Sequence, residues 1–382
     1  MQGSVDRIIS SHVGSLPRPL ELLSALARTA RGAPLDKALV ERSIRECVKR
    51  QARIGIDVVT DGEFSKPSFI TYVVDRLGGF EPNPAVVQMK PWDNTKEARA
   101  FPDFYAGPPH VSSDAMRRSI CTGPITYKGH ARVEEDVRTL KAALLDVNVT
   151  EAFLPSISPS NIAGAHTNQY YMSDEEYLFA IAGAMREEYK AIIDAGFILQ
   201  VDDPNLVTHY CTTPEATIED TRKWAAVRVE AVNHALAGLP QDRIRFHTCY
   251  SINIGPRVHD MQLKDIIDIL LRVNADAYSF EFGNPRHEHE WRLWKDAKLP
   301  SHKLLMPGVI SNSTVVVEHP ELVAERIGRF ASVVGRERVI AGADCGFASF
   351  AANKEFVESV VWAKLEALAE GARIASRELW KR

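Results

Sequence analysis

The sequence predicts a single (β/α)8 barrel over residues 1–382, and three observations carry that expectation. Short apolar, β-branched runs alternate with amphipathic helical stretches along the chain, which is the pattern of βαβ units and a parallel sheet. Reactive or charged side chains collect just after the strand-like runs, where barrels carry their sites. No Gly-rich phosphate fingerprint follows the first strand, so a dinucleotide-binding sheet is the weaker choice.

Composition sets the frame. The chain is long for one ordinary domain, yet α/β barrels exceed that size with one core. A hydrophobic content of 45% with 25% charged residues is that of a soluble globular protein. The net charge is −4 and no run of Lys or Arg stands out, so there is no electrostatic case for nucleic acid. No basic-then-apolar leader and no stretch of spanning length point to a membrane. Five scattered cysteines, odd in number, argue for a reducing cytoplasm with free or metal-bound thiols. A homo-oligomer stays open.

Residues 7–11 read as the first strand, leaving through His12-Val13-Gly14-Ser15. That loop either brings backbone amides and Ser15 to a small ligand or is a tight turn. Asp36 caps a helix ended by Gly55, with Cys47 on its apolar face. The strand at 56–60 delivers Asp61-Gly62-Glu63, in which Asp61 suits a turn cap and Glu63 suits an amine or cation. Residues 78–113 carry prolines at 82, 84, 91, 102, 108 and 109 and no steady period. They read as an insertion, either a lid over the site or a surface excursion without a role.

Residues 118–124 read as a third strand and turn, followed by a helix near 134–145. Ala152-Phe153-Leu154-Pro155-Ser156 is an extended piece of uncertain place. Ser173 with Glu176 forms a capping box for a helix ending at Gly196. The strand at 197–201 then delivers Asp202-Asp203. Adjacent buried carboxylates are costly unless they meet a positive charge, so one suits a substrate ammonium while the other can cap the next turn. Further helices (222–237, 261–271, 320–335, 354–380) alternate with strands ending near 247, 281, 310 and 341. This gives nine strand candidates for eight places, with the Phe153 piece as the expected surplus.

The chain is organised around His247-Thr248-Cys249. Residues i and i+2 of a strand share a face, so imidazole and thiol converge. Glu281 and Cys345 follow two other strands. An imidazole, a carboxylate and two thiols from three strand ends make a tetrahedral zinc set. Because no compact C-x-x-C announces it, packed structural thiols stay as the alternative. His287-Glu288-His289-Glu290 looks like a metal box, but histidines two apart diverge on a helix and the zincin spacing is absent. Supporting or substrate-facing roles suit them better.

His247-Thr248-Cys249-Tyr250, Glu281 after Tyr278-Ser279-Phe280, and Asp344-Cys345-Gly346 resemble the zinc motifs in the catalytic barrel of cobalamin-independent methionine synthase. Collinear with them are Val13-Gly14-Ser15, Asp61-Gly62-Glu63, Thr122-Gly123-Pro124, Gln200-Val201-Asp202-Asp203-Pro204 and Pro307-Gly308-Val309, so the likeness covers nearly the whole chain. It implies zinc held by His247, Cys249, Glu281 and Cys345. It also implies that Ser15, Glu63 and Asp202 hold the amino acid part of homocysteine. This chain differs in having one barrel where methionine synthase proper has two. It also reads Ile310-Ser311-Asn312-Ser313-Thr314 where that family carries an Asp and then a His for proton delivery. Residues 284–291 are similar to the single-barrel branch, which also contains epoxyalkane:coenzyme M transferase.

A free thiol, with a pKa of about 8.5, is mostly protonated at neutral pH, whereas a coordinated one is deprotonated. Two thiolates and a carboxylate make an electron-rich zinc, suited to alkylation of sulfur more than to water activation. The expectation is zinc-dependent methyl or alkyl transfer from a donor to a small homocysteine-like thiol. His12, His287 and His289 are the candidates for protonating the leaving group. The alternatives are thiol addition to an epoxide or other alkyl electrophile, and a zinc- and thiol-binding protein without turnover.

Overall fold

The computed structural model describes residues 1–29, 35–83, 92–106, 119–250, 255–297, 299–351 and 357–381. Among them run the strands β1 (Ile9–Ser10), β2 (Val58–Val59), β3 (Phe80–Pro82), β4 (Ser119–Cys121), β5 (Glu151–Ile157), β6 (Thr167–Asn168), β7 (Ile198–Asp202), β8 (Ile244–His247), β9 (Ala277–Phe280), β10 (Leu304–Ile310) and β11 (Ile340–Ala343). Eight of them form one parallel sheet in the order β1-β11-β10-β9-β8-β7-β5-β2. A parallel bridge between Ser11 and Val58 closes it. This is the expected (β/α)8, or TIM, barrel.

The surplus strand is the one near residue 120, not the Phe153 piece. β5 pairs with β2 and β7 inside the barrel. β4 instead joins β3 and β6 in a small separate sheet. Residues 152–157 are all buried, as a barrel strand walled on both faces requires. Pro155 disguises the strand, because proline argues against a central one. Here its carbonyl takes the buried Lys66 Nζ at 2.7 Å.

The helices start where the caps ask. Asp36 accepts from Leu39 N at 3.0 Å to begin Lys37–Ile54, and Gly55 ends it at φ 92°. Ser173 caps Asp174–Asp194, but the Glu176 carboxylate takes Met172 N, so that box is half formed. The reciprocal box stands at Thr217 and Asp220 instead.

Ile9, Val58, Phe153, Ile198, Ala277, Met306 and Ile340 fill the barrel interior. Among them lies Arg245, fully buried. It donates to Gln200 Oε1 (2.8 Å), Ser11 Oγ (2.9 Å) and the His12 carbonyl (3.1 Å), and it lies over the Phe153 ring. A charge this deep persists only with such a set of partners. Register places Gln200 beside Arg245, and one layer higher Asp202 beside His247 beside Ser279. With a side-chain period of two, this upper layer floors the site.

A second buried network ties β5 to the helices. Arg76 reaches Asp136 at 2.5 Å and Glu188 at 3.0 Å, and Glu188 also accepts from Tyr72, Tyr127 and Ser156. Removing one partner strands the others' charge. Arg76→Met should therefore cost about 3–5 kcal/mol, read as a lower denaturant midpoint; a loss below about 1 kcal/mol would contradict this.

Within 78–113, β3 is followed by the short helices Lys96–Ala100 and Pro102–Tyr105, while 84–91 and 107–113 lie outside the described residues. Glu97 from this insertion is fully buried and accepts from His259 N. Among the described residues, no helix is long and apolar enough to cross a membrane.

Candidate functional site

The ends of β1, β2, β7, β8 and β11 build one pocket, with the exit of β9 packed beside it. Beyond β8, Thr248 N donates to the Ser279 carbonyl (3.1 Å) and Thr248 Oγ1 to the Asp203 carbonyl (2.7 Å), which fixes the path to Cys249. Beyond β11, the Asp344 carboxylate accepts from Phe282 N, Gly283 N and Asn284 Nδ2. That pins the exit of β9 against Cys345. Gly308 permits the approach, since a Cβ there would stand 2.0 Å from Asp344 Oδ1.

These restraints bring Cys249 Sγ to 3.1 Å from Cys345 Sγ, both buried and neither in a disulfide. Ligating atoms of His247, Cys249 and Cys345 all lie within 4.8 Å of one another. His247 Nδ1 meets Ser279 Oγ at 3.1 Å, while its Nε2 is buried without a hydrogen-bond partner. Burial, helped by the Arg245 charge, lowers the His247 pKa to about 3, so the ring is neutral, the form that ligates a metal. Donors about 2.1–2.3 Å from a zinc ion at tetrahedral angles stand roughly 3.6 Å apart. The orphaned imidazole nitrogen and the facing thiols therefore fit an ion, and buried polar atoms are rarely left unpaired without such a reason.

The same three residues line one cavity together with Ser15, Glu63, Asp202, Phe69 and Ser349. Ser15 Oγ accepts from Ala348 N (3.3 Å) and faces Ser349 Oγ (3.4 Å). Gly346 leaves it room, because a Cβ would come within 2.1 Å. Glu63 takes a left-handed backbone, φ 60°, a sparsely populated conformation for a residue with a side chain. Its Oε2 is buried without a partner. Asp202 Oδ1 accepts from Gln200 Nε2 at 2.8 Å. Burial, and then the Glu63 charge, hold the Asp202 carboxyl well above the usual carboxylate range, and burial raises Glu63 as well. An acid pair in this state is completed by a cation. The neighbouring acids do local work: Asp61 accepts from Glu63 N (2.9 Å) and Asp203 from Asn161 Nδ2 (3.0 Å).

Four residues singled out in the sequence stand apart from this cavity. The Glu281 carboxylate is buried on the exit of β9 but turns to Tyr250 N, Arg257 and Asn284, outside the His/Cys/Cys group. His12 lies below the cavity, its Nε2 on Gln51 Oε1 (2.9 Å) and its Nδ1 accepting from Gly14 N (3.2 Å). His287 is stacked on Tyr250 and clasped between Glu290 (2.8 Å) and Asp260 (3.1 Å). Burial disfavours its charge, but the two acids outweigh that and lift its pKa to about 9. His289 is exposed on the short helix Glu288–Lys295. Among the described residues lining the cavity, His247 is the sole imidazole. Phe69 and Ser349 were not foreseen; the small-residue run after Cys345 is the one sequence signal for Ser349.

His12 gives a pH test. Burial lowers its pKa to about 4, against about 6.5 in an unfolded chain. Above pH 6.5 neither state binds the proton; as pH falls toward 4 the unfolded state takes it up first and stability drops. The expected loss from pH 7 to 5 is about 2 kcal/mol. That contribution should be missing from His12→Gln, so its loss of stability between the two pH values in urea titrations should be smaller by about that amount, and an equal loss in both proteins would contradict it.

A closed parallel barrel with a thiol-rich, acid-lined pocket at its carboxyl mouth defines a narrow class of barrel proteins. The chain belongs to the cobalamin-independent synthase catalytic-domain family, whose profile matches residues 8–364. Its relatives include the methionine synthase of Thermococcus kodakarensis, 25% identical over 384 residues that span 97% of this chain and 94% of that one. The methionine synthase of Saccharolobus solfataricus is 23% identical, covering 96% and 94%. In fold, the chain is similar to a B12-independent methionine synthase from Shewanella sp. W3-18-1 in complex with selenomethionine. That likeness has a TM-score of 0.73 at 21% identity and covers 98% of this chain and 100% of that one.

Proposed function

We propose that this protein is a methyltransferase acting on the sulfur of homocysteine or a close analogue, with zinc held by His247, Cys249 and Cys345. One observation carries the reading: the unpaired His247 Nε2 and the two facing thiols open into the same cavity as the Glu63–Asp202 acid pair. Family membership and the name shared by its relatives favour methyl over other alkyl transfer.

Zinc, when bound there, supplies the positive charge that keeps an incoming thiol deprotonated at neutral pH. The chain's own residues do the rest. Glu63 and Asp202 receive the substrate ammonium, whose charge favours their ionised forms and fixes the amino acid at one end of the cavity. Ser15, set by Ala348 N and Ser349, offers a hydroxyl to the same end. The thiol end is thereby directed toward Cys249 and Cys345, a positioning gain of the kind that turns a bimolecular encounter into an oriented one. Phe69 adds an apolar wall that excludes water. The five cysteines, none of them in a disulfide, suit a reducing cytoplasm.

Incubating the zinc-loaded protein with homocysteine and folate-type or sulfonium methyl donors tests this by mass spectrometry. Methionine formed by the wild type and lost in Cys345→Ser is expected. A hydroxyalkyl thioether from an epoxide, without methionine from any methyl donor, would replace the reading with alkyl addition. Tight thiol binding without any thioether would replace it with a binding protein.

A further inference from the structure

We infer that Arg18 is a positioning residue for the amino-acid end of the cavity: one buried guanidinium ties the exits of β1, β2 and β11 together so that Ser15, Glu63 and Ser349 face one ligand. This rests on the proposed substrate contacts and concerns what holds them in place. Arg18 is 4% exposed and does not itself line the cavity. Its Nη2 donates to the carbonyls of Glu63 (2.7 Å) and Lys66 (2.8 Å), and its Nη1 to the carbonyl of Ala348 (2.9 Å).

Two of those carbonyls belong to the turn that carries Glu63. Lys66 N donates back to Glu63 O at 3.1 Å, so Arg18 grips both ends of one tight turn. The turn needs the grip, because Glu63 stands at φ 60° and such a backbone persists only where its surroundings hold it. The third carbonyl lies across a seam that joins the exits. Along it Leu16 N donates to Gly62 O (3.1 Å), Phe347 N to Ser15 O (3.0 Å), Phe69 N to Ser349 O (3.1 Å) and Ala351 N to Pro67 O (2.9 Å). Ser68 and Phe350 form an antiparallel bridge there, and the rings of Phe69 and Phe350 meet edge to face at 5.9 Å. Ser15, Glu63, Phe69 and Ser349 thus hang from one seam, and Arg18, three residues past Ser15, spans its two sides.

The chemistry of the clamp calls for arginine. A planar fork reaches carbonyls on both sides at once, whereas a lysine ammonium is a point donor on a flexible stem. Bonds from a charged donor are stronger than those between neutral groups, and a buried charge requires such partners. Burial lowers the Arg18 pKa to about 10, with the Glu63 and Asp61 charges opposing it, so the guanidinium stays charged at neutral pH. Because Arg18 takes the Glu63 carbonyl, the Glu63 carboxylate stays available to a substrate ammonium.

The test uses the zinc-loaded full chain and two thiols, homocysteine and 2-mercaptoethanol, which lacks the amino and carboxyl groups. In calorimetric titrations, Arg18→Met should raise the Kd for homocysteine by about 10- to 100-fold, the loss that follows when groups orienting a ligating side chain are removed. The Kd for 2-mercaptoethanol and the zinc content should not change. An equal weakening for both thiols, or none for homocysteine, would overturn the inference. Arg18→Lys keeps the charge without the fork, so it should weaken homocysteine nearly as much, and wild-type affinity in this variant would also overturn it. Amide hydrogen exchange reads the seam itself. The amides of Leu16, Phe69, Phe347 and Ala351 should exchange faster in Arg18→Lys while β7 and β8 stay protected, and unchanged exchange at those four would contradict the clamp. Should Arg18→Met fail to fold, the lysine variant decides by both measurements. A wild type that binds both thiols equally would sink the proposed substrate contacts instead, while the exchange comparison still judges the seam.

Discussion

Cys345→Ser should lower zinc affinity by about a hundredfold or more. Changing only the partners of metal ligands already costs about 10- to 100-fold, and serine supplies no anionic donor at neutral pH. The fold should survive, because the substitution is nearly isosteric and Asp344 keeps its grip on Phe282, Gly283 and Asn284. Methyl transfer should fall to below about 1% of wild type in step with the metal. Chelator competition gives the affinity, and elemental analysis gives the stoichiometry. Unchanged zinc content in the variant would separate Cys345 from the ion.

Asp202→Asn should show two opposite effects. The substituted side chain still accepts from Gln200, but it removes half of the acid pair that meets the ammonium group. Truncating one side of a buried charge pair costs about 2–5 kcal/mol, which is about 30- to several-thousand-fold in kcat/KM. The loss should be confined to thiols that carry an amino group, and an equal loss for thiols without one would contradict the assignment. Stability should move the other way. The Asp202 pKa is raised in the folded protein by burial and Glu63, so ionised Asp202 destabilises the empty enzyme above the ordinary carboxylate pKa. At pH 7 the empty variant should therefore unfold at a higher denaturant concentration than wild type.

The barrel was legible because strand and helix periods alternate and because strand exits carry the chemistry. Two strands change places: β4 lies outside the barrel, and β5, inside it, contains Pro155, where the sequence cannot show that a lysine from another segment takes its carbonyl. His247-Thr248-Cys249 was legible through the two-residue period of a strand. That Cys345 joins it depends on Asp344 clasping the exit of β9, which leaves no trace in spacing. The histidines were the weakest inference for a physical reason. An imidazole's role is set by its partners, and for each of His12 and His287 one of the two, Gln51 and Asp260, is distant in the chain. Glu281 illustrates the same limit: its motif suggests a ligand, while in this structure its carboxylate accepts from Arg257, 24 residues earlier.

The central claim is that His247, Cys249 and Cys345 hold an ion that receives the substrate sulfur. Titrating the cobalt-substituted protein with homocysteine measures this directly through the near-ultraviolet sulfur-to-metal charge-transfer band. Two thiolates becoming three should raise that band by roughly half, saturating at one thiol per chain. A band that stays constant while homocysteine binds would show that the sulfur never reaches the metal.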